Sequence, residues 1–294
     1  MIERTKSTWS IQLDDLVFAQ NPGTMYWYGE IKGFGKADIR GDVVEYSGAN
    51  GGFIGEQLYS FRRIPLKLGV YQPDQQKLRK IINDMNAVFT INKYINCRVT
   101  TPDSRQYGFK AKLHSAPDVS TSFVDDVTCE VDLVCEDPYI YDYSEGAGNT
   151  FTLGKTKPGG WVVKQYSGIE SDYKKGWLSE RGQPDKVVTN NGTVIAYPTF
   201  TIAGAVTRPS ITHKDTGDTI ALDITTAPGD TLYIDTNPKN PAVLLNGYGI
   251  EGALTSAKMF GLKPGDNRLE YKSDSSDDTA TVTGHIRYAY EGIL

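Results

Sequence analysis

The stretch that decides the fold is Val119–Cys135, VSTSFVDDVTCEVDLVC. Its odd-numbered positions are mainly apolar and its even-numbered positions mainly polar, which is the period-two pattern of a β-strand with one buried face. As a single strand it would span roughly 56 Å, about three times the length of a typical strand. We therefore predict a long strand that is bent, bulged or shared between two sheets. Such a strand often belongs to a hairpin that projects toward a neighbouring subunit. Its predicted core face is Phe123, Val127, Cys129, Val131 and Leu133.

One helix interrupts the β-rich pattern. Pro73 and Asp74 are suited to the start of a helix, and we predict that the helix covers residues 73–89. Its apolar side chains recur every three or four residues, so they form one stripe along the helix. A stripe of this kind is far more often core than ligand site, and we expect it to cover a face or a mouth of a sheet. Its members include Leu78, Ile81, Ile82 and Met85.

The second half of the chain has a different pattern. The long strand stops near Pro138, and a polar, glycine-rich stretch follows from Ser144. Short strands then alternate with Gly, Pro and Asn turns at intervals of about 8–12 residues, which is typical of a β-sandwich or barrel. We predict two domains, residues 1–142 and 143–294, with residues 143–196 as an elaborated linker and first strands. The predicted strands include Tyr197–Ile202, Thr219–Ile224, Thr231–Asp235, Ala242–Leu245 and Thr281–Tyr290.

The composition excludes several classes of protein. The chain of 294 residues has 31 Lys and Arg, 36 Asp and Glu, three His and three Cys, with a net charge of −5. Three cysteines cannot build a disulfide-rich scaffold, and the negative charge argues against a protein that mainly grips nucleic acid through phosphates. The absence of a long apolar run predicts no membrane insertion. The N-terminus shows no signal peptide, which predicts synthesis in the cytoplasm.

No set of residues has the spacing that catalysis or metal binding requires. His114, His213 and His285 are far apart and belong to no metal-binding motif. We therefore predict no enzyme activity, no catalytic residue, no metal site and no cofactor. An acidic stretch, Ser273–Asp278, could bind Ca²⁺, but a solvated hairpin tip is the favoured interpretation.

The order and spacing of several motifs resemble the distal tail protein (Dit) family, a tail-component family of long-tailed, non-contractile phages. The resemblance covers most of the chain, although no single motif is specific. In the first half it rests on Arg62-Arg63-Ile64 after a glycine loop, the helix after Pro73, and the ending Cys135–Tyr139. In the second half it rests on Asn191-Gly192-Thr193, Tyr197–Ile202, Pro209–Thr212, Gly229–Thr236, Leu245-Asn246-Gly247 and Phe260–Asn267.

The resemblance implies a mainly β protein with a split-barrel-like N-terminal domain, which contains a helix and a protruding β-hairpin, and a galectin-like C-terminal sandwich. It also implies a hexameric ring at the distal end of the tail of a phage or prophage-derived particle. The implied partners are further copies of the chain, the tail tube protein, the tail-tip (tail-associated) protein, the tape measure protein and a receptor-binding protein. DNA passes through the channel of such a ring without specific binding.

An alternative function is a carbohydrate-binding module that attaches the virion to the host cell wall. Exposed aromatic side chains on a β-sandwich can stack on sugars. The candidates lie in the predicted linker, residues 143–196, where ordinary packing is the competing interpretation: Trp161, Trp177, Tyr166 and Tyr173.

Overall fold

The computed structural model describes residues 8–20, 24–123, 125–143, 150–154, 185–274 and 280–294. The chain divides into two compact units, Met1–Glu145 with Ala289–Leu294, and Gly146–Tyr288. Residues 289–294, which we predicted as part of the second domain, therefore belong to the first unit. Among the described residues, no helix has the length and apolar character needed to span a bilayer.

Within the described residues, the first unit contains thirteen strands, one helix and a returning C-terminal strand. The helix α1 is Gln75–Val88. The strands are β1 Ser10–Leu13, β2 Leu16–Ala19, β3 Met25–Trp27, β4 Ile39–Arg40, β5 Val43–Glu45, β6 Gly52–Ile54, β7 Leu58–Tyr59, β8 Arg62–Tyr71, β9 Ile95–Thr100, β10 Gln106–Leu113, β11 Asp118–Phe123, β12 Asp126–Cys135 and β13 Ile140–Asp142.

The described part of the second unit contains eleven strands and a short 3₁₀ turn at Glu251–Ala253. The strands are β14 Thr150–Leu153, β15 Lys186–Asn190, β16 Thr199–Ala203, β17 Ser210–His213, β18 Thr219–Leu222, β19 Thr231–Asp235, β20 Ala242–Leu245, β21 Tyr248–Gly249, β22 Leu254–Ala257, β23 Gly265–Lys272 and β24 Thr281–His285. The chain then returns to the first unit in β25, Ala289–Tyr290, which pairs with β13.

Seven strands of the first unit close into a barrel. Their order is β12-β8-β3-β2-β1-β9-β10, and pairing of β10 with β12 completes the circle. The longest pair is β8 with β12, where Leu66 lies opposite Val131 and both side chains point into the core. Burying a side chain of this size contributes about 1.5–3 kcal/mol. Alternation along β8 and β12 therefore supplies much of the driving force for the barrel.

The prediction of one long strand over Val119–Cys135 is wrong. The segment forms a hairpin in which β11 pairs with β12, and Val119 lies opposite Cys129. Odd-numbered residues pair with each other as far as Thr121 and Val127, and the register shifts before Phe123 and Asp126. The apolar and polar positions therefore alternate along both strands of the hairpin much as they would along one strand. The pattern alone therefore cannot distinguish a hairpin from a continuous strand.

Helix α1 begins two residues later than predicted, at Gln75, and ends one residue earlier, at Val88. Asp74 caps it, and its side chain accepts hydrogen bonds from the backbone N–H groups of Gln76 at 3.0 Å and Lys77 at 3.3 Å. Pro73 precedes the cap and is not helical. At the other end the Phe89 N–H donates to the Met85 carbonyl at 2.9 Å. The apolar stripe packs on the barrel core.

The second unit contains two antiparallel sheets. One has the order β14-β24-β16-β19-β20-β21, and the other β15-β23-β17-β18-β22. Phe200, Ile211 and Leu232 are among its fully buried side chains. The dipeptide Asn246-Gly247 forms the hairpin turn between β20 and β21, with positive φ at both residues, as its sequence predicts. The prediction of one strand over Thr281–Tyr290 is wrong, because the segment forms two strands. The first, β24, lies in the second unit, and the other, β25, lies in the first unit.

The mainly β class with one notable helix is confirmed.

Candidate assembly surface

The most exposed apolar region of the first unit is a hairpin that we call the arm, residues 38–58. Its base pairs Ile39 with Tyr59, and its outer part pairs Val44 with Phe53. The turn at its tip is closed by a 3.0 Å hydrogen bond from the Tyr46 N–H to the Gly51 carbonyl. Gly48 and Gly51 both have positive φ in this turn, a conformation that glycine adopts at little cost.

The arm exposes apolar side chains on both of its faces. Val44 and Phe53 lie opposite each other on one face, and Val43 and Ile54 on the other. A two-stranded hairpin is marginally stable in water by itself, and contiguous exposed apolar surface marks an interaction site. The exposed fractions are Ile39 62%, Val43 68%, Val44 56%, Tyr46 55%, Phe53 62%, Ile54 62% and Leu58 49%.

The arm is also acidic. It contains four carboxylates and one cation, and within the described part of the chain none of them is joined in an ion pair. A partner that covers the arm must therefore supply apolar contacts and must tolerate or neutralise negative charge. The charged residues are Asp38, Arg40, Asp42, Glu45 and Glu56.

Arg62, the first residue of β8, follows the arm in the chain and donates hydrogen bonds to the loop that precedes the arm. Its side chain is 1% exposed. It donates to the Pro138 carbonyl at 2.8 Å, to the Gly33 and Gly35 carbonyls at 2.6 and 2.5 Å, and to the Glu291 carbonyl at 2.5 Å. Burial lowers the pKa of this guanidinium from its ordinary value. The cluster joins the loop before the arm, the end of β12 and the returning C-terminus.

The helix and strand residues that we singled out from the sequence lie in the core of the first unit. Leu78 and Met85 are buried, and Ile81 and Ile82 are half-buried against the same core. On β12 the buried residues are Val127, Cys129, Val131 and Leu133. Phe123 is the last residue of β11, and its side chain lies outside the described part of the structure.

The four aromatic candidates for sugar binding lie outside the described residues. The carbohydrate-binding alternative therefore stays a prediction. The residues are Trp161, Tyr166, Tyr173 and Trp177.

Within the described ranges, no group of three or more His, Cys, Asp and Glu residues could hold a metal ion. The three cysteines are free, buried thiols. Burial raises the pKa of Cys129 to about 11 and that of Cys135 to about 12, and it raises the pKa of Cys97 well above its ordinary value. Thiols in this state are poor nucleophiles.

The arm is missed by sequence reasoning, because the glycine cluster at residues 48–55 is typical of a mobile loop between strands. Gly52, Phe53 and Ile54 instead form β6. A signal was present, because β-branched and aromatic residues stand on both sides of the glycines, at Val43-Val44 and Phe53-Ile54. These residues did not lead to a strand prediction, because adjacent apolar residues break the alternation that identifies a half-buried strand.

Comparison with known proteins places the second unit in a family. Residues 191–288 match the family model described as the C-terminal domain of the siphovirus-type tail component. No curated protein sequence matches the chain.

Solved structures share the fold over nearly the whole chain. The Dit protein (gp 19.1) of phage SPP1, described as a paradigm of the hub adsorption apparatus in phages that infect Gram-positive bacteria, is 14% identical with a TM-score of 0.66. The match covers 96% of this chain and 98% of that one. A chain of the phage P2 baseplate, activated with Ca, is 13% identical with a TM-score of 0.54, covering 97% of this chain and 99% of that one.

The same baseplate activated with Sr gives 14% identity and a TM-score of 0.54, again covering 97% and 99% of the two chains. The resemblance to the distal tail protein family of siphophages is thus confirmed, by the tail-component domain at residues 191–288 and by the fold that this chain shares with Dit of phage SPP1.

Proposed function

We propose that this chain is a structural hub of a non-contractile phage or prophage-derived tail. Copies of it form a ring, hexameric by analogy with the family, that joins the tail tube to the tail-tip and receptor-binding apparatus. The single observation that carries the proposal is the arm, an acidic hairpin with apolar side chains on both faces and no cover within the described residues. The tail-component domain at residues 191–288 supports the same role.

The exposed apolar side chains of the arm favour association between copies of the chain. Burying its apolar side chains against a neighbour contributes roughly 25 cal/mol for each Å² removed from water, and part of this is offset by the entropy lost on association. Apolar side chains on both faces of the arm are left exposed by the copy to which the arm belongs. A contact in which one copy donates the arm and the next copy receives it is head-to-tail, and such contacts generate a closed ring when the rotation between copies closes.

The barrel suits a structural role in this assembly. Its seven strands leave no open edge around the closed circle, and Arg62 fixes the base of the arm to that barrel. The arm is therefore a projecting element on a rigid support. The net charge of −5 also suits a channel through which DNA passes without adhering, because phosphates are repelled.

The proposal contains no catalytic step. The partners that we propose are neighbouring copies, the tail tube protein, the tail-tip protein, the tape measure protein and a receptor-binding protein. The proposed location is the distal end of the virion tail, after synthesis in the bacterial cytoplasm. The matching family and the similar structures are tail components and baseplates, which supports a structural role.

The test is a triple arm variant of the full chain, Val44→Ser, Phe53→Ser and Ile54→Ser. All three side chains are exposed, so the variant should fold as the natural chain does, which circular dichroism can check. We expect multi-angle light scattering to show a large assembly for the natural chain and a monomer for the variant. The matched control is Val187→Ser, which changes an equally exposed side chain of the second unit. An unchanged assembly in the triple variant would contradict the role of the arm.

A further inference from the structure

The barrel has an outer face that is chemically matched to the arm. It is the outer side of β9 and β10, where Asn96 lies directly opposite Lys110. Residues two positions away on each strand point to the same side, while Ile95, Cys97 and Ala111 point into the core. We call this surface the basic face; its members are Tyr94, Asn96, Arg98, Lys110 and Lys112.

Two of the three cations on the basic face are held over aromatic rings. The Lys112 Nζ lies 4.0 Å from the centroid of the Tyr94 ring, and the Arg98 guanidinium carbon lies 3.7 Å from the centroid of the Tyr143 ring. Each ring therefore orders a cation before any partner arrives, which reduces the conformational entropy that binding must remove.

The cations outnumber the acids at this surface. Lys112 and the Tyr94 hydroxyl both contact Glu136, at 2.8 Å each. Lys110 is exposed and, in the described part of the chain, forms no ion pair. A positive charge that forms no ion pair within its own copy is thus available beside the exposed ring of Tyr94 and the half-buried ring of Tyr143.

The adjoining part of the barrel wall, across the pairing of β10 with β12, has the opposite charge. On the outer side of β8, β11 and β12, the cations Arg63 and Lys67 are outnumbered by acids, and Lys67 is already paired with Glu130 at 2.7 Å. An acidic arm would be repelled from this side and attracted to the basic face. The acids are Asp118, Asp126, Glu130 and Asp132.

We propose that the basic face of one copy receives the arm of the neighbouring copy. The aromatic rings of Tyr94 and Tyr143 supply apolar contact for side chains such as Phe53, and Lys110, Lys112 and Arg98 face the carboxylates of the arm. The donor and receiver surfaces differ, so the contact is head-to-tail, as ring closure requires. This inference rests on the proposed ring, and it adds which surface of the neighbour the arm occupies.

The experiment reverses charge on each side of the contact in the full chain. The face variant is Lys110→Glu, and the arm variant combines Glu45→Lys with Glu56→Lys. A third protein carries all three substitutions, which restores opposite charges at every contact of a ring. The control is Lys80→Glu, at an exposed cation on α1. Sedimentation velocity measures the dissociation constant of the assembly at about 0.1 M and about 0.5 M salt.

We expect the face variant and the arm variant each to weaken assembly about threefold to tenfold per contact at low salt. We expect the combined variant to recover most of that loss, the control to match the natural chain, and all differences to shrink at high salt. If Lys110→Glu behaves like the control, or the combined variant recovers nothing, the inference is overturned. If the triple variant Val44→Ser, Phe53→Ser and Ile54→Ser disrupts assembly while Lys110→Glu does not, the proposed ring is supported and only the proposed receiving surface is wrong.

Discussion

Arg62 shows how a charged side chain can be buried without a carboxylate partner. Four backbone carbonyls, from three separate parts of the first unit, accept its hydrogen bonds. One of them, Gly33, has a φ of +85° and so little room that an added Cβ would lie 2.5 Å from the Arg63 carbonyl oxygen. The loop before the arm is therefore shaped for this contact, and the position of the arm depends on it.

Replacing Arg62 by Met should destabilise the first unit by about 3–5 kcal/mol, because several buried carbonyls would lose their donors. The measurements are the free energy of unfolding in urea and the hydrogen exchange of the β8 amides. Arg63→Met is the matched control, since Arg63 is exposed and its guanidinium carbon lies 5.3 Å from the centroid of the Phe61 ring; it should change the unfolding free energy by less than about 0.5 kcal/mol. Equal effects of the two substitutions would contradict this account of Arg62.

Glu270 is the corresponding case in the second unit. Its side chain is 6% exposed and lies 3.1 Å from both Lys214 and Lys272. Burial raises the pKa of this carboxyl, but the hydrogen bonds and charges of the two lysines outweigh burial, so the pKa lies below its ordinary value of 4.5. The ion pairs therefore stabilise the fold above pH 4.5, and that contribution is lost as the pH falls through the lowered pKa.

The Glu270→Gln variant should accordingly be less stable than the natural chain by about 1–3 kcal/mol at pH 7. The difference should shrink as the pH falls below 4.5, because the natural chain then loses the same charge. Urea midpoints of both proteins between pH 7 and pH 3 provide the check. A difference that stays constant over this range would rule out an ionised Glu270 as its source.

At the scale of elements, the sequence predicts those helices and strands that bury one face against a core. Helix α1 was found because buried residues such as Leu78 and Met85 recur with the period of a helix. Strand β12 was found because buried residues such as Val127 and Val131 recur with the period of a strand. The β11–β12 hairpin was mistaken for one strand, because odd-numbered positions of β11 pair with odd-numbered positions of β12 over most of its length. Strand β25 was joined to β24 because side-chain alternation carries no information about which sheet a strand enters.

The arm was missed for a different physical reason. Its strands are apolar on both faces and touch little of their own copy, so neither alternation nor burial marks them. A local pattern identifies a surface that the chain covers by itself, whereas the cover for the arm comes from another molecule in our proposal. The candidate site is therefore the part of the molecule that the sequence predicted least well.

This account makes a prediction for the arm as an element. Amide hydrogens of β5 and β6 should exchange quickly in dilute protein, because the hairpin is exposed and joined by few hydrogen bonds. They should become protected at concentrations where the assembly forms, while the amides of β8 stay protected throughout. Hydrogen exchange with mass spectrometry over a dilution series provides the measurement. Fast exchange in the arm of the assembled protein would exclude it from the contact.

At the scale of the whole molecule, the two units have distinct support for their roles. The second unit carries the tail-component domain over residues 191–288. The first unit carries the arm, the basic face and the rigid barrel, and its sheet takes back the C-terminal strand β25. We propose that the first unit forms the ring. In that arrangement a substitution in the arm affects assembly without changing the folding of the second unit.

The measurement that tests the central claim most directly is imaging of the purified natural chain by negative-stain electron microscopy, with its mass determined in parallel by light scattering. The account predicts rings of uniform size with the mass of six 32.4-kDa copies. A strict 32.4-kDa monomer at micromolar concentration, with no rings even in the presence of the tail tube and tail-tip proteins, would contradict it.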